Sequence, residues 1–209
     1  MIVIVDYEAG NLTSVAAAAA AAGFPARISS DPADIATAER LIFPGVGAAA
    51  SAMHHLRRLG LVEPLRAAVA SGKPFLGICL GFQILFEHSD EDGGVDLLGL
   101  FRGRVVRFPD GMTEGGQGPL KVPHMGWSRV EFTRSMPLGE GLPADSEFYF
   151  VHSYYPEPEP SAVCATAVYG RRFAAGVARG NVIGFQFHPE KSGRPGLQLL
   201  RNFCTWTTA

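Results

Sequence analysis

Cysteine is scarce in this 209-residue chain, and the three present, Cys79, Cys164 and Cys204, are odd in number and far apart. That spacing excludes a disulfide framework of the secreted kind and a CxxC metal knuckle, and it suits a reducing compartment. Basic charge is not in excess either: 18 Lys+Arg against 20 Asp+Glu leave a formal charge of −2. With no broad cationic face to neutralise a phosphate backbone, nucleic acid is not expected as a partner. Long apolar runs are missing too. The opening run Ile2-Val3-Ile4-Val5 is too short to span a bilayer and no basic leader precedes it. The expectation is a cytoplasmic protein without membrane contact, metal or cofactor. No repeat and no flexible linker divides the chain, so residues 1–209 read as one domain.

What is there begins with alternation. The β-branched run 2–5 has the pattern of a strand covered on both faces. It is followed by a helix from Leu12 through the unbroken alanines 16–22 to Gly23 and Pro25. Because strand signals flank it, the alanine tract reads as a close-packed helix rather than low-complexity sequence. Strands are expected at 27–29, 40–43 and 73–78, with helices at 48–59, 62–70 and 80–88. From about residue 98 the pattern becomes short β runs, at 104–108, 127–132, 148–154, 162–169 and 182–187, before a closing helix at 195–206. The glycine-rich stretch 109–122 reads as a mobile loop, and Pro156-Glu157-Pro158-Glu159-Pro160 as a stiff turn. The fold class that follows is α/β: an open, mostly parallel sheet flanked by helices, with an antiparallel β extension.

The chemistry is concentrated at Gly77-Ile78-Cys79-Leu80-Gly81, a G-x-C-x-G between a strand and a helix, which has the spacing of a nucleophile elbow. Such a turn lifts the central side chain out of the sheet, and flanking glycines remove β-carbons that would clash. The following helix N-terminus favours a thiolate. A cysteine in an apolar strand can equally be a small buried core residue, but the paired glycines argue for the elbow. A thiolate needs a base, and Phe187-His188-Pro189-Glu190 supplies one at the end of the last strand, with a carboxylate to hold its tautomer. Among the other histidines, His54 and His55 fit a solvated helix face and His88 a helix end, while His124 and His152 are candidate neighbours of the site. Pro44-Gly45-Val46-Gly47 leaves the third strand at the same sheet edge. The N–H of Val46, with that of Leu80, could receive an oxyanion.

Gly-Ile-Cys-Leu-Gly-Phe-Gln at 77–83 with His-Pro-Glu at 188–190 resembles the class I glutamine amidotransferases. Further motifs are similar to the amidotransferase subunits of imidazole glycerol phosphate synthases: Asp6-Tyr7 with Gly10-Asn11-Leu12, Pro44 to Gly47, Lys121 to Trp127, Phe150 to Tyr154 and His188 to Ser192. The resemblance implies that Cys79 attacks the side-chain amide of glutamine, His188 moves the proton and Glu190 orients His188. It places Gly47, Gln83, His152, Ser153 and Tyr154 around the substrate, and Gly10, Asn11, Tyr149 and Lys191 near a partner and the ammonia passage. That partner would be a (β/α)8-barrel cyclase, forming a heterodimer that uses ammonia in histidine biosynthesis. An α/β-hydrolase with a cysteine elbow is disfavoured, because there the acid precedes the histidine in the chain. Another amidotransferase subunit, a free-standing amide hydrolase and a silent scaffold subunit stay as alternatives.

Overall fold

A computed structural model describes residues 1–8, 11–116 and 118–208. The first part alternates: β1 (Ile2–Val5), α1 (Leu12–Ala21), β2 (Ala26–Ser29), α2 (Pro32–Thr37), β3 (Arg40–Gly45), α3 (Ala49–Arg58), α4 (Val62–Ala70), β4 (Phe75–Cys79) and α5 (Leu80–Gln83). The second part is strand-rich: β5 (His88–Ser89), β6 (Val95–Asp96), β7 (Gly103–Arg107), β8 (His124–Arg129), β9 (Glu131–Phe132), β10 (Glu147–His152) and β11 (Tyr154–Pro158). It ends with β12 (Val163–Tyr169), β13 (Arg171–Arg179), β14 (Val182–Phe185) and the closing helix α6 (Gly193–Thr205).

The main sheet runs β2-β1-β3-β4-β14-β13-β12-β9. Its first five strands are parallel, and the last three are added antiparallel. Alternate residues of the parallel strands serve opposite faces, so both must be apolar. Ile2, Ile4, Ile42 and Leu76 pack with Val15 of α1 and Leu199, Leu200 and Phe203 of α6. Val3, Val5, Leu41 and Phe75 pack with Ile35 of α2, Met53 and Leu56 of α3 and Leu65 of α4. The alanine tract is a helix as expected, burying Ala18 and Ala19 with Val15 on the side that meets α6. Two smaller sheets, β11-β7-β5-β6 and β10-β8, bring Val151 and His152 of β10 and Tyr154 of β11 to one wall of the site.

Several expectations are corrected. The helix expected at 80–88 stops at Gln83, because the carbonyls that would continue it accept from another segment: Leu98 N–H on Ile84, Gly99 N–H on Phe86, and Leu100 and Phe101 N–H on Leu85. His88 therefore ends no helix; it lies in β5, with Nδ1 3.0 Å from Asp96 Oδ1. The strand expected at 127–132 is two strands in different sheets, β8 and β9, and that at 148–154 breaks at Ser153 into β10 and β11. Pro156-Glu157-Pro158 is strand and not turn: it pairs with β7 and forms an outer edge, the place in a sheet where proline costs no ladder bond. Strand β13 and helix α2 were not anticipated, β13 because Ala174-Ala175-Gly176 carries little β signal. Segment 109–122 has no helix or strand among its described residues. It is nonetheless tied to the β12–β13 hairpin by Tyr169 Oη donating to Lys121 O (2.6 Å) and Gly170 N–H to Glu114 Oε2 (2.9 Å).

The β8–β10 ladder sets His124 opposite His152. His152 Nδ1 lies 2.8 Å from the carbonyl of Tyr154 and so donates to it; its Nε2 then accepts from His124 Nδ1 at 3.1 Å. His124 Nε2 in turn accepts from Ser128 Oγ at 2.9 Å. Every ring nitrogen is satisfied with both imidazoles neutral. His124 stacks on Phe150 and Tyr169. Burial pulls His124 down to about 4 and His152 down to about 3, from an ordinary 6.5.

Two outcomes are expected. A β-carbon on Gly81 would fall 1.8 Å from the carbonyl oxygen of Phe43, a backbone atom that cannot swing away. Gly81→Ala should therefore cost about 1–3 kcal/mol, read as a Tm lower by roughly 2–12 °C. Gly118→Ala, which meets nothing within 4 Å, should leave Tm unchanged. For the histidine pair, a lowered folded pKa means that the unfolded chain binds more protons in acid. The stability it contributes is complete above about 6.5 and is lost as pH falls through about 4 towards 3. Denaturant unfolding between about pH 7 and pH 4 should thus show a shallower acid loss in His124→Gln than in the wild type.

Candidate active site

The site is built at the carboxyl ends of β3, β4 and β14. Strand β4 runs straight into α5, and at the junction Cys79 takes φ 55° and ψ −109°, a positive φ that non-glycine residues rarely adopt. The elbow is held by close approach on both sides. A β-carbon on Gly77 would sit 2.7 Å from Gly81 O, and Gly81 itself lies against Phe43 O. Neither glycine is in a left-handed conformation, so they are required for contact and not for backbone freedom. Cys79 is 7% exposed and opens into a cavity of about 340 Å³. Leu80 follows as the first residue of α5, where a helix leaves its N–H without an internal partner.

His188 and Glu190 face this cysteine from the segment after β14. His188 Nδ1 is 2.8 Å from Glu190 Oε1, and both side chains are almost wholly buried. Glu190 Oε1 also accepts from Asn11 Nδ2 at 2.6 Å, across the sheet edge. Asn11 therefore does not cap α1 with its side chain, although it sits at the N-cap. His188 Nε2 has no hydrogen bond of ordinary geometry, yet the cysteine is near enough to act on its charge. Burial alone would pull His188 down. The negative charge of a Cys79 thiolate and a hydrogen bond with it, then Glu190, outweigh that and push it up to about 10. The arrangement sets a buried imidazole between Cys79 and Glu190. Backbone bonds lock it in place: His188 N–H donates to Tyr149 O (2.9 Å), and Ser192 Oγ donates to His188 O (2.6 Å) while accepting from Tyr149 N–H (3.0 Å).

The cavity is lined by Val46, Gly47, Leu80, Gln83, Glu91, Val151, His152, Ser153, Tyr154 and His188 around Cys79, with Pro123 at its rim. All the residues expected to surround a substrate are thus brought together. Gln83 spends its amide N–H groups on Tyr154 O (2.8 Å) and Gln186 Oε1 (3.0 Å). Larger hollows of about 540 and 870 Å³ around Arg134 and Met136 do not reach the cysteine. Gly47 has φ 92°, and Gly45 pairs in register with Cys79, which sets the Gly45–Val46 peptide beside the elbow. Of the residues expected near a partner, Lys191 Nζ lies over the Tyr149 ring at 5.9 Å, outside the cavity. Asn11 instead reaches inward to Glu190, and Gly10 lies outside the described residues.

Three residues at the site had been given no role from the sequence. Glu91 enters the cavity and accepts from Ala49 N–H at 2.7 Å through Oε2; burial raises its pKa, partly opposed by that bond. No pattern in the sequence marks it. Gln186 is fully buried and puts Nε2 3.8 Å from Cys79 Sγ. A polar residue inside the apolar Phe185-Gln186-Phe187 run was the available signal. Tyr7 packs beside the elbow, with its hydroxyl against Gly45. The other cysteines are remote and buried, and burial pushes Cys164 up to about 12 and Cys204 up to about 11.

Known proteins with this pattern form a consistent set. The chain is 52% identical over 209 residues to imidazole glycerol phosphate synthase subunit HisH of Methylococcus capsulatus, covering 98% of this chain and 96% of that one. It is 52% identical over 204 residues to the subunit of the same name from Syntrophotalea carbinolica, covering 97% and 98%. Among solved structures it superposes on a glutamine amidotransferase with a TM-score of 0.71 at 21% identity, covering 98% of this chain and 100% of that one. On PurLQS from Thermotoga maritima the TM-score is 0.72 at 20% identity, covering 97% and 96%, and these two likenesses speak for the fold alone. The family model described as glutamine amidotransferase class-I matches residues 3–206. Since that match runs from the first strand of the sheet to the end of the closing helix, the chain belongs to the class-I glutamine amidotransferases.

Proposed function

We propose that this chain is the glutaminase subunit of an imidazole glycerol phosphate synthase, releasing ammonia from glutamine for a (β/α)8-barrel cyclase partner in histidine biosynthesis. The observation that carries the reading is the elbow cysteine opening into the same cavity as a His188 already bonded to buried Glu190. About 50% identity to subunits of that name along almost the whole chain supports the choice of synthase.

In this reading Cys79 Sγ attacks the side-chain amide carbon of glutamine, and the amide oxygen becomes an oxyanion received by the N–H groups of Val46 and Leu80. His188 Nε2–H gives its proton to the amide nitrogen, the C–N bond breaks and ammonia leaves, with a glutamyl thioester on Cys79. His188, now neutral, takes a proton from water as that water attacks the thioester; the C–S bond breaks and glutamate departs. Glu190 holds the imidazole through Nδ1. Glu91 is a carboxylate in the cavity apart from the triad, suited to the α-ammonium of glutamine. Gln83 and the backbone of Gly47, Ser153 and Tyr154 complete the walls. Ammonia must pass to the partner before water protonates it. The exposed apolar residues Met125 and Trp127, with Trp127 edge-on to Tyr149 and Lys191 over that ring, supply a docking face beside the site.

Hydrolysis without a recipient wastes glutamine, so the Gly45–Val46 peptide is read as turned away at rest and completing the oxyanion hole when partner and nucleotide ligand are bound. Losing one such donor costs ~10²–10³ in rate.

The first test is on the nucleophile. Cys79→Ala should fold and lose glutamine hydrolysis, while a complex with the cyclase still turns over on ammonium salts; retained hydrolysis would exclude the triad. Iodoacetamide should label Cys79 well before Cys164 or Cys204, and equal labelling would count against the elbow. The second is on gating. Steady-state glutaminase of the isolated chain should rise by about 10²-fold or more on adding the cyclase and its carboxamide ribonucleotide substrate. Full activity in the isolated chain would favour a free-standing amide hydrolase.

A further inference from the structure

The mechanism leaves one buried group beside the nucleophile unused. Tyr7 follows β1 and is 1% exposed. Its ring packs on Phe43 with centroids 5.1 Å apart, and its backbone carbonyl lies 3.1 Å from His55 Nδ1. Both ends of the residue are thus fixed, yet its hydroxyl has no hydrogen-bond partner among the described residues. Folded proteins seldom leave a buried hydroxyl idle, and each such case calls for a reason. Burial first, then the charge at Cys79, push the phenol well above its ordinary range, so the group stays a donor.

The position of that hydroxyl supplies the reason. A β-carbon on Gly45 would fall 2.3 Å from Tyr7 Oη, 2.8 Å from Leu80 Cβ and 2.9 Å from Gly81 N. The phenolic oxygen therefore rests against Gly45, where the end of β3 passes the elbow. We propose that Tyr7 is a positioning residue for the oxyanion hole: its hydroxyl donates to the Gly45 carbonyl when the Gly45–Val46 peptide turns the Val46 N–H into the cavity. The peptide is a rigid plane, so its N–H and C=O move to opposite sides together. A carbonyl turned into the protein needs a donor there, and Tyr7 is the unengaged one next to it. Glycine at 45 leaves the space that the hydroxyl occupies. The same connection from β1 to α1 also carries Asn11, which holds Glu190. One connection thus bears on the oxyanion strand through Tyr7 and on the triad carboxylate through Asn11.

This inference rests on the gated oxyanion hole proposed above, and the test separates the two. Tyr7→Phe removes only the oxygen, so the packing on Phe43 is kept. In the complex with cyclase and its carboxamide ribonucleotide substrate, its kcat for glutamine hydrolysis should fall roughly 10-fold, the worth of one hydrogen bond. KM for glutamine should stay within about twofold, because the bond supports a donor used by the oxyanion and makes no contact with bound glutamine. Alkylation of Cys79 by iodoacetamide, which needs no oxyanion hole, should proceed at the wild-type rate. Unchanged kcat in Tyr7→Phe, with a wild type that responds to partner and ligand, overturns the role of Tyr7 alone. Equal losses in kcat and alkylation overturn it too, by showing damage to the cysteine itself. A wild type that does not respond to partner and ligand overturns the gate, and this inference with it.

Discussion

The structure depends on a strained backbone at Cys79. A positive φ at a non-glycine residue costs about 1–3 kcal/mol and persists only where its surroundings over-determine it. Here β4 is hydrogen-bonded on both sides, to β3 and β14, and α5 presses back on the strand so closely that Gly81 touches the carbonyl of Phe43. The strain cannot relax without separating the central strands. The same closeness sets the Leu80 N–H and the Gly45–Val46 peptide beside Cys79, so one constraint places the proposed nucleophile and the proposed oxyanion donors together.

Charge is arranged around that turn in layers. His188 is held from behind by Glu190, and Glu190 by Asn11, so the imidazole is oriented by a carboxylate that is itself oriented. A second pair of imidazoles, His124 and His152, sits nearby but is kept neutral by burial and by a one-directional chain of hydrogen bonds. Environment therefore shifts identical side chains in opposite directions, His188 up and His124 and His152 down. The neutral pair fixes the end of β10 and the start of β11, which is the cavity wall formed by residues 152–154.

How much of this was legible in the sequence follows from the range of each interaction. Parallel strands announced themselves because they are apolar on both faces, and the elbow because its glycines stand within two residues of the cysteine. His188 and Glu190 were readable together for the same local reason. Helix 80–88 was misjudged because the competitors for its carbonyls, at 98–101, lie in a distant loop. The prolines at 156 and 158 suggested a turn, and only an edge position in the sheet makes them strand. Glu91 carries no local mark at all, and Tyr7 stood in a motif that gave it no role.

By itself the sequence determined the α/β character, the family, and Cys79, His188 and Glu190 as the candidate triad, since each rests on periodicity or on residues a few positions apart. Tertiary structure decided the rest: that Asn11 serves Glu190 at a separation of 179 residues, that Glu91 enters the cavity, and that Tyr7 lies against Gly45. Those contacts follow from which strand ends share an edge of the sheet. Strand order is a property of the packed chain, because the energy that selects it comes from burying both faces of the sheet at once, and no short stretch of residues contains that information.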